Sequence, residues 1–310
     1  MKAFPHGVYP TMITPYKDGR IDFDAVRKLV DFYVEKGCTG VFAVCQSSEM
    51  AFLSLSERVE LAKAVVNAAN GRIAVVASGH CGNSLEEQAE ETKRIAETGI
   101  DAFVLVSNRL DLHNDGDDVW LSNAEKLLTM IPEELPLGIY ECPMPYKRLL
   151  TEKDLAFCKD TGRFRFIKDT CCDPDLLSQR LEQLKDSQVL LFNATGQTLL
   201  HSLRHGAAGY SGIMANFHPH LLSWLCANYD RRPEVAEPLA DALSMMAFTE
   251  NPAYPNTAKY YLNKVGISMD LYSRSSDPKR LTPYQMLCVD QMFRMDKELA
   301  AWLGEKGEQV

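Results

Sequence analysis

The chain has 310 residues, 46% hydrophobic and 24% charged, with a formal net charge of −9, the profile of an ordinary globular protein with a sizeable core. Its acidic balance and the lack of any Lys/Arg run argue against a nucleic-acid partner. No apolar run approaches the ~20 residues of a membrane span, no secretory leader is visible, and the nine cysteines lack framework spacing; they read as reduced thiols, so a cytoplasmic location is expected.

In chain order, short apolar runs rich in Val, Ile and Phe alternate with helix-length amphipathic stretches. The runs fall at 8–14, 40–44, 73–77, 102–106, 137–140, 164–168, 189–193 and 209–214. The helical stretches follow them at 24–36, 56–70, 85–98, 119–130, 151–158, 175–184 and 198–205, with a last one opening near Pro219. Apolar residues recur at helical spacing, as in Val59, Ala62, Val66 and Ala69. Ser56 before Glu57, Ser84 with Glu87, and Thr151 with Asp154 supply the expected helix starts.

Beyond residue 220 the alternation stops, and helices are expected near 235–248, 257–265 and 283–303. Strict alternation implies a parallel sheet covered by helices, and eight repeats select a (β/α)8 barrel. The first turn, PYKDGR, has one glycine and cannot cradle a pyrophosphate as a doubly wound fold would require. The expected organisation is a barrel over 1–225 with a helical extension over 226–310.

A barrel of this kind carries its site where the strands end. Lys168 closes the run FRFIK there, beside apolar neighbours. Burial lowers a lysine pKa, and the neutral amine attacks carbonyls to give an electron-withdrawing iminium. The alternative is a lysine paired with Asp169 or Glu141. Tyr140, one strand earlier, offers a phenol to move protons on and off a carbinolamine, or is a structural tyrosine. The Ser47-Ser48 turn offers hydroxyls and N–H groups to a carboxylate, or is an ordinary turn.

The segments GVYPTMITPYKDGRID, SSE followed by LSLSER, YECP, FIKDT, HGAAGYSGIMAN and KYYLNKVGI occur in that order. Together they resemble the dihydrodipicolinate synthase / N-acetylneuraminate lyase family of pyruvate-utilising Schiff-base lyases. The resemblance implies that Lys168 is the imine-forming lysine and Tyr140 the proton-handling tyrosine. It places Ser47 on the pyruvate carboxylate, with Gln46, Ser48, Thr170 and Ile213 as further substrate contacts. It also implies a homo-oligomer, commonly a tetramer built from dimers, acting on a small 2-oxo acid and an aldehyde. The lysine imine is the electron sink, so no cofactor or metal is implied.

Several positions depart from the family's pattern. Gln46 stands where a relay hydroxyl is usual, and an amide does not relay protons by simple exchange. Leu110 occupies the place of the second relay tyrosine, Pro145 that of an arginine in the synthases, and Gly196 and Gln197 that of an acidic pair in the sialic acid lyases. Arg109 is a candidate for an anionic second substrate, or a salt-bridge partner in a loop holding Asp111, Asp115, Asp117 and Asp118. The expected activity is therefore a carbon–carbon or carbon–oxygen lyase, with a 2-oxo sugar acid dehydratase or a non-catalytic 2-oxo-acid-binding protein as alternatives. A metal-assisted hydrolase built on His80 and the cysteines 45, 81, 142, 171 and 172 is a further alternative, without C-x2-C spacing to support it. His218 and His220, flanking Pro219, read as structural.

Overall fold

The computed structural model describes residues 4–250 and 252–309. Eight parallel strands form one sheet: β1 (Gly7–Val8), β2 (Gly40–Ala43), β3 (Ala74–Ala77), β4 (Ala102–Val106), β5 (Leu137–Tyr140), β6 (Phe164–Asp169), β7 (Leu190–Asn193) and β8 (Gly209–Tyr210). Neighbours in sequence are neighbours in space from β2 to β8, and β8 pairs with β1. The ring is completed past the end of β1, where Phe42 N–H donates to Pro10 O at 2.9 Å and Met12 N–H to Phe42 O at 3.0 Å. This is the (β/α)8 barrel that the sequence implies.

The first and last strands are shorter than the apolar runs. Pro10 has no N–H to donate to a ladder, so β1 gives way to a single bridge between Thr11 and Phe42. After Tyr210 the chain leaves the barrel and turns through a 3-10 segment at Ile213–Asn216.

Between the strands run α1 (Phe23–Glu35), α2 (Leu55–Ala69), α3 (Leu85–Ala96), α4 (Asp117–Met130), α5 (Glu152–Asp160), α6 (Pro174–Leu184), α7 (Leu199–Arg204) and α8 (Pro219–Asn228). Every residue of β4 is buried, as expected of a strand covered on both faces. Inside the barrel an aromatic layer forms the floor of the mouth. Phe192 meets Phe166 and Tyr9 at 4.7 Å between ring centroids, and Phe42 meets Phe166 at 5.9 Å and Tyr140 at 5.8 Å. Gly40 permits this layer, since a Cβ there would lie 2.1 Å from the Tyr9 ring.

Ser84 and Thr151 each form a capping box with Glu87 and Asp154. The second helix starts differently from expectation. Ser54, not Ser56, is its cap, because Glu57 stands three residues after Ser54 and can bond back to its N–H at 2.9 Å. Ser54→Ala should therefore cost about 1 kcal/mol in urea unfolding, while Ser56→Ala should stay within about 0.5 kcal/mol.

After α8 come α9 (Pro233–Glu250), α10 (Asn256–Lys264) and α11 (Pro283–Glu305). The tail is tied to the barrel by polar contacts: Trp224 Nε1 donates to Glu308 at 3.1 Å, and Asp270 N–H to Tyr16 O at 2.9 Å. Asp296 on α11 lies 3.4 Å from His218 and 3.5 Å from His220, which gives both histidines a structural partner. Among the described residues no helix is long and apolar enough to cross a membrane.

Candidate active site

The ladder between β5 and β6 places Tyr140 opposite Lys168. Both side chains are 5% exposed, and Lys168 Nζ sits 4.1 Å from the centre of the Tyr140 ring. Burial lowers the Lys168 pKa to about 8, against the opposing pull of Cys45, Cys142, Glu141 and Asp169. The same burial raises the Tyr140 phenol well above its usual value, so it stays protonated and able to donate.

The carboxylates beside Lys168 are not its partners. Glu141 and Asp169 both turn to Arg180 on α6, which is 2.8 Å from Glu141 and bonded directly to Asp169. Glu141 also accepts from the N–H groups of Leu150 and Thr170, each at 2.7 Å. The negative charge is thereby neutralised outside the pocket, and Lys168 forms no ion pair among the described residues. In this arrangement both carboxylates pair with Arg180 and not with the lysine.

Across the mouth, the Cys45–Ser48 turn is held between two residues in left-handed backbone, Val44 at φ 48 and Glu49 at φ 63. A β-branched residue rarely adopts this conformation, so the surroundings must impose it. Ser48 holds the turn from within: its hydroxyl donates to Met12 O at 2.6 Å and accepts from Cys45 N–H at 3.1 Å. Glu49 holds it from without. Its carboxylate accepts from Ser273 Oγ at 2.9 Å and Ser275 N–H at 2.8 Å, and lies 3.6 Å from the buried Lys259 of α10. Ser47 is left near the mouth, its hydroxyl 3.2 Å from Thr11 Oγ1.

The other expected contacts divide. Ile213 lines a cavity of about 610 Å³ on the C-terminal rim, together with Ala194, Gly196, Gln197, Phe248 and Arg280. Ala194 N–H bonds to Asp169 O at 3.0 Å, so this wall begins next to the lysine strand. The Thr170 hydroxyl is spent on Glu141 O at 2.9 Å. Arg109 reaches Asn83 at 3.1 Å rather than the acidic loop, whose Asp117 is held by Arg148 at 3.1 Å. Leu110 is fully buried. His80 accepts from Val106 N–H at 2.9 Å through Nδ1 and meets Gln88 at 2.9 Å through Nε2. Burial lowers its pKa to about 3, so both ring nitrogens are engaged in the neutral state. Among the described residues no three His, Cys, Asp or Glu side chains are grouped to hold a metal ion.

Three residues at or behind the mouth have roles the sequence does not suggest, Cys142 being marked there only as a candidate metal ligand. Arg280 arrives from the tail, Lys259 braces the serine turn, and Cys142 faces Gln46. Only Cys142 carried a signal in the sequence, its place two residues after Tyr140.

Comparison with known proteins bears on this geometry. The model of the dihydrodipicolinate synthetase family matches residues 4–276. The chain belongs to that family. Within the dihydrodipicolinate synthetase family, the chain is 28% identical over 274 residues to the 4-hydroxy-tetrahydrodipicolinate synthase of Pseudoalteromonas atlantica, covering 86% of this chain and 90% of that one. It is 26% identical over 269 residues to the enzyme of that name from Methanocaldococcus jannaschii, covering 84% and 88%. The solved 4-hydroxy-tetrahydrodipicolinate synthase of Methylacidiphilum fumariolicum superposes with a TM-score of 0.84 at 23% identity, over 97% of this chain and 98% of that one. A lysine mutant of the sialic acid aldolase of Ruminococcus gnavus gives 0.82 at 18% identity, over 95% and 96%. These two structures share the fold of this family member.

Proposed function

We propose that the protein is a class I lyase that captures pyruvate or a related 2-oxo acid on Lys168 and makes or breaks a bond between it and an aldehyde partner. The observation that carries this reading is a buried lysine with no carboxylate partner among the described residues and a pKa lowered to about 8, set against a protonated tyrosine. A useful fraction of the amine is then neutral near physiological pH, whereas an ordinary lysine is almost wholly ammonium.

The amine adds to the ketone carbon, the oxygen gains a proton, and Tyr140 is placed to protonate the carbinolamine hydroxyl as it leaves as water. The resulting iminium draws electrons from the neighbouring carbon, which allows an enamine to form or a C–C bond to break. Ser47 and the N–H groups of its turn receive the substrate carboxylate, and the strain at Val44 and Glu49 keeps them preorganised. The aldehyde partner enters from the cavity lined by Ile213, Gly196 and Gln197, where Arg280 offers a planar donor fork to an anionic group. Arg280→Ala should raise KM for an anionic aldehyde or sugar acid about tenfold with little change in kcat, as loss of binding made equally in ground and transition states requires. Family membership supports assembly as a homo-oligomer, which light scattering of the purified protein tests.

The deciding experiment is borohydride reduction in the presence of pyruvate, followed by peptide mass spectrometry. A reduced pyruvyl adduct is expected on Lys168. An unmodified Lys168 in folded protein, with the reagent active on a control, removes the reading.

A further inference from the structure

Schiff-base formation consumes a proton when the carbinolamine hydroxyl leaves, and Tyr140 must be resupplied. Gln46 and Leu110 cannot serve, the first being an amide and the second a buried hydrocarbon. Among the described residues a protic side chain does approach Tyr140. Cys142, two residues on and fully buried, donates its backbone N–H to Tyr140 O at 2.9 Å and sets its thiol close enough to the Tyr140 phenol for each group to shift the other's pKa. Its thiol lies 3.7 Å from Gln46 Oε1, which accepts from it, while its sulfur accepts from Met144 N–H.

The loop that carries Cys142 is fixed for this contact. Asn108, at the exit of β4, donates its amide to the carbonyls of Cys142 at 3.0 Å and Met144 at 2.9 Å. The sulfur thus has one acceptor for its proton and two donors, the phenol and a backbone N–H, for a developing thiolate. A cation forms nearby as the imine appears, since Lys168 is within electrostatic reach of this thiol. Burial raises the Cys142 pKa in the resting site, so the thiol holds its proton until that cation arrives.

Resting on the lyase reading above, we infer that Cys142 is the relay residue behind Tyr140, a thiol standing in for the missing hydroxyl relay. As the carbinolamine C–O bond breaks, the nitrogen lone pair forms the C=N bond and Tyr140 gives its proton to the departing hydroxide. Tyr140 regains a proton from Cys142. The products are water, an iminium on Lys168 and a thiolate at Cys142, so one positive and one negative charge appear together. Hydrolysis of the product imine runs the same transfers backwards and restores the thiol.

The test follows exchange of the pyruvate methyl protons in D2O by NMR, which reports imine and enamine formation without any aldehyde, alongside borohydride trapping. Cys142→Ala should slow exchange about 100-fold, the scale of a lost proton-transfer group. It should still yield the Lys168 adduct after long incubation. Cys142→Ser should recover most of the rate, and its alkaline limb should differ because a hydroxyl does not ionise as a thiol does. In the unmutated protein, pyruvate should raise the ultraviolet absorbance of thiolate, and this increment should be absent from Cys142→Ser. Exchange by Cys142→Ala within about threefold of the unmutated rate, with the same pH profile, overturns the relay while leaving the lyase reading intact. So does an unchanged thiolate absorbance, a readout that needs no variant to fold. Failure of the unmutated protein to form any adduct overturns both.

Discussion

Lys168→Met should abolish pyruvate trapping and every turnover that depends on it, and should at the same time make the protein more stable. The first effect follows from the loss of the amine proposed to form the imine. The second follows from linkage. An ammonium whose pKa falls from 10.5 to about 8 on folding costs about 3 kcal/mol at neutral pH. Methionine has nearly the same length and no charge to desolvate, so that cost disappears. The sign is fixed by proton counts. Between pH 8 and 10.5 the unfolded chain holds more protons at this position than the folded one, so stability of the unmutated protein rises with pH across that window. The gap between the two proteins should therefore be widest below pH 8 and close as the pH approaches 10.5. Urea unfolding at pH 7 and pH 10 measures it, and a variant less stable than its parent at pH 7 would mean that Lys168 is paired in solution. The rate of trapping should fall about tenfold per pH unit below 8, because only the neutral amine attacks.

The architecture was legible because barrel strands are covered on both faces, so each announces itself as an unbroken apolar run. The runs over-read the two ends of the ring. Residues 8–14 hold Pro10, which cannot donate to a ladder, and Ile213 and Met214 lie in a 3-10 segment lining the rim cavity, not in a paired strand. Lys168 and Tyr140 stand out as candidates because each closes an apolar run at a strand's C-terminal end, and the strand register sets them opposite each other. What surrounds them was hidden by distance along the chain. Arg180 takes Asp169 from eleven residues away on the next helix, and nothing local distinguishes it from a surface arginine. Glu49 is braced by Lys259 and Ser273, more than 200 residues on. In the sequence Ser48 presents itself as a substrate hydroxyl, yet both its hydrogen-bonding roles are spent inside the turn. A cysteine is common as a small buried hydrophobe, so Cys142 acquires meaning only once its sulfur is seen against Tyr140 and Gln46.

Arg180→Met should be the most damaging substitution outside the reacting groups. Arg180 is 2% exposed and its two carboxylate partners are fully buried. Removing the cation leaves Glu141 and Asp169 facing each other without compensation, a loss of about 3–5 kcal/mol. The pH dependence separates this from simple loss of packing. Burial and the neighbouring Asp169 already push the Glu141 pKa upward, and without Arg180 they do so unopposed. A carboxyl whose folded pKa lies above its unfolded value contributes least penalty when protonated, so the variant should be nearest its parent at about pH 5 and fall behind as the pH rises. Adding Glu141→Gln should recover part of the loss, since one unpaired charge is removed and the amide can still accept from Leu150 and Thr170. The site should report the same event. With Arg180 gone, unneutralised carboxylate flanks Lys168, favours its ammonium and moves the acid limb of pyruvate trapping to higher pH. An acid limb that stays near pH 8 in a folded Arg180→Met protein would show that the arginine serves packing alone. A shifted limb would show that it keeps the lysine reactive by drawing both carboxylates away.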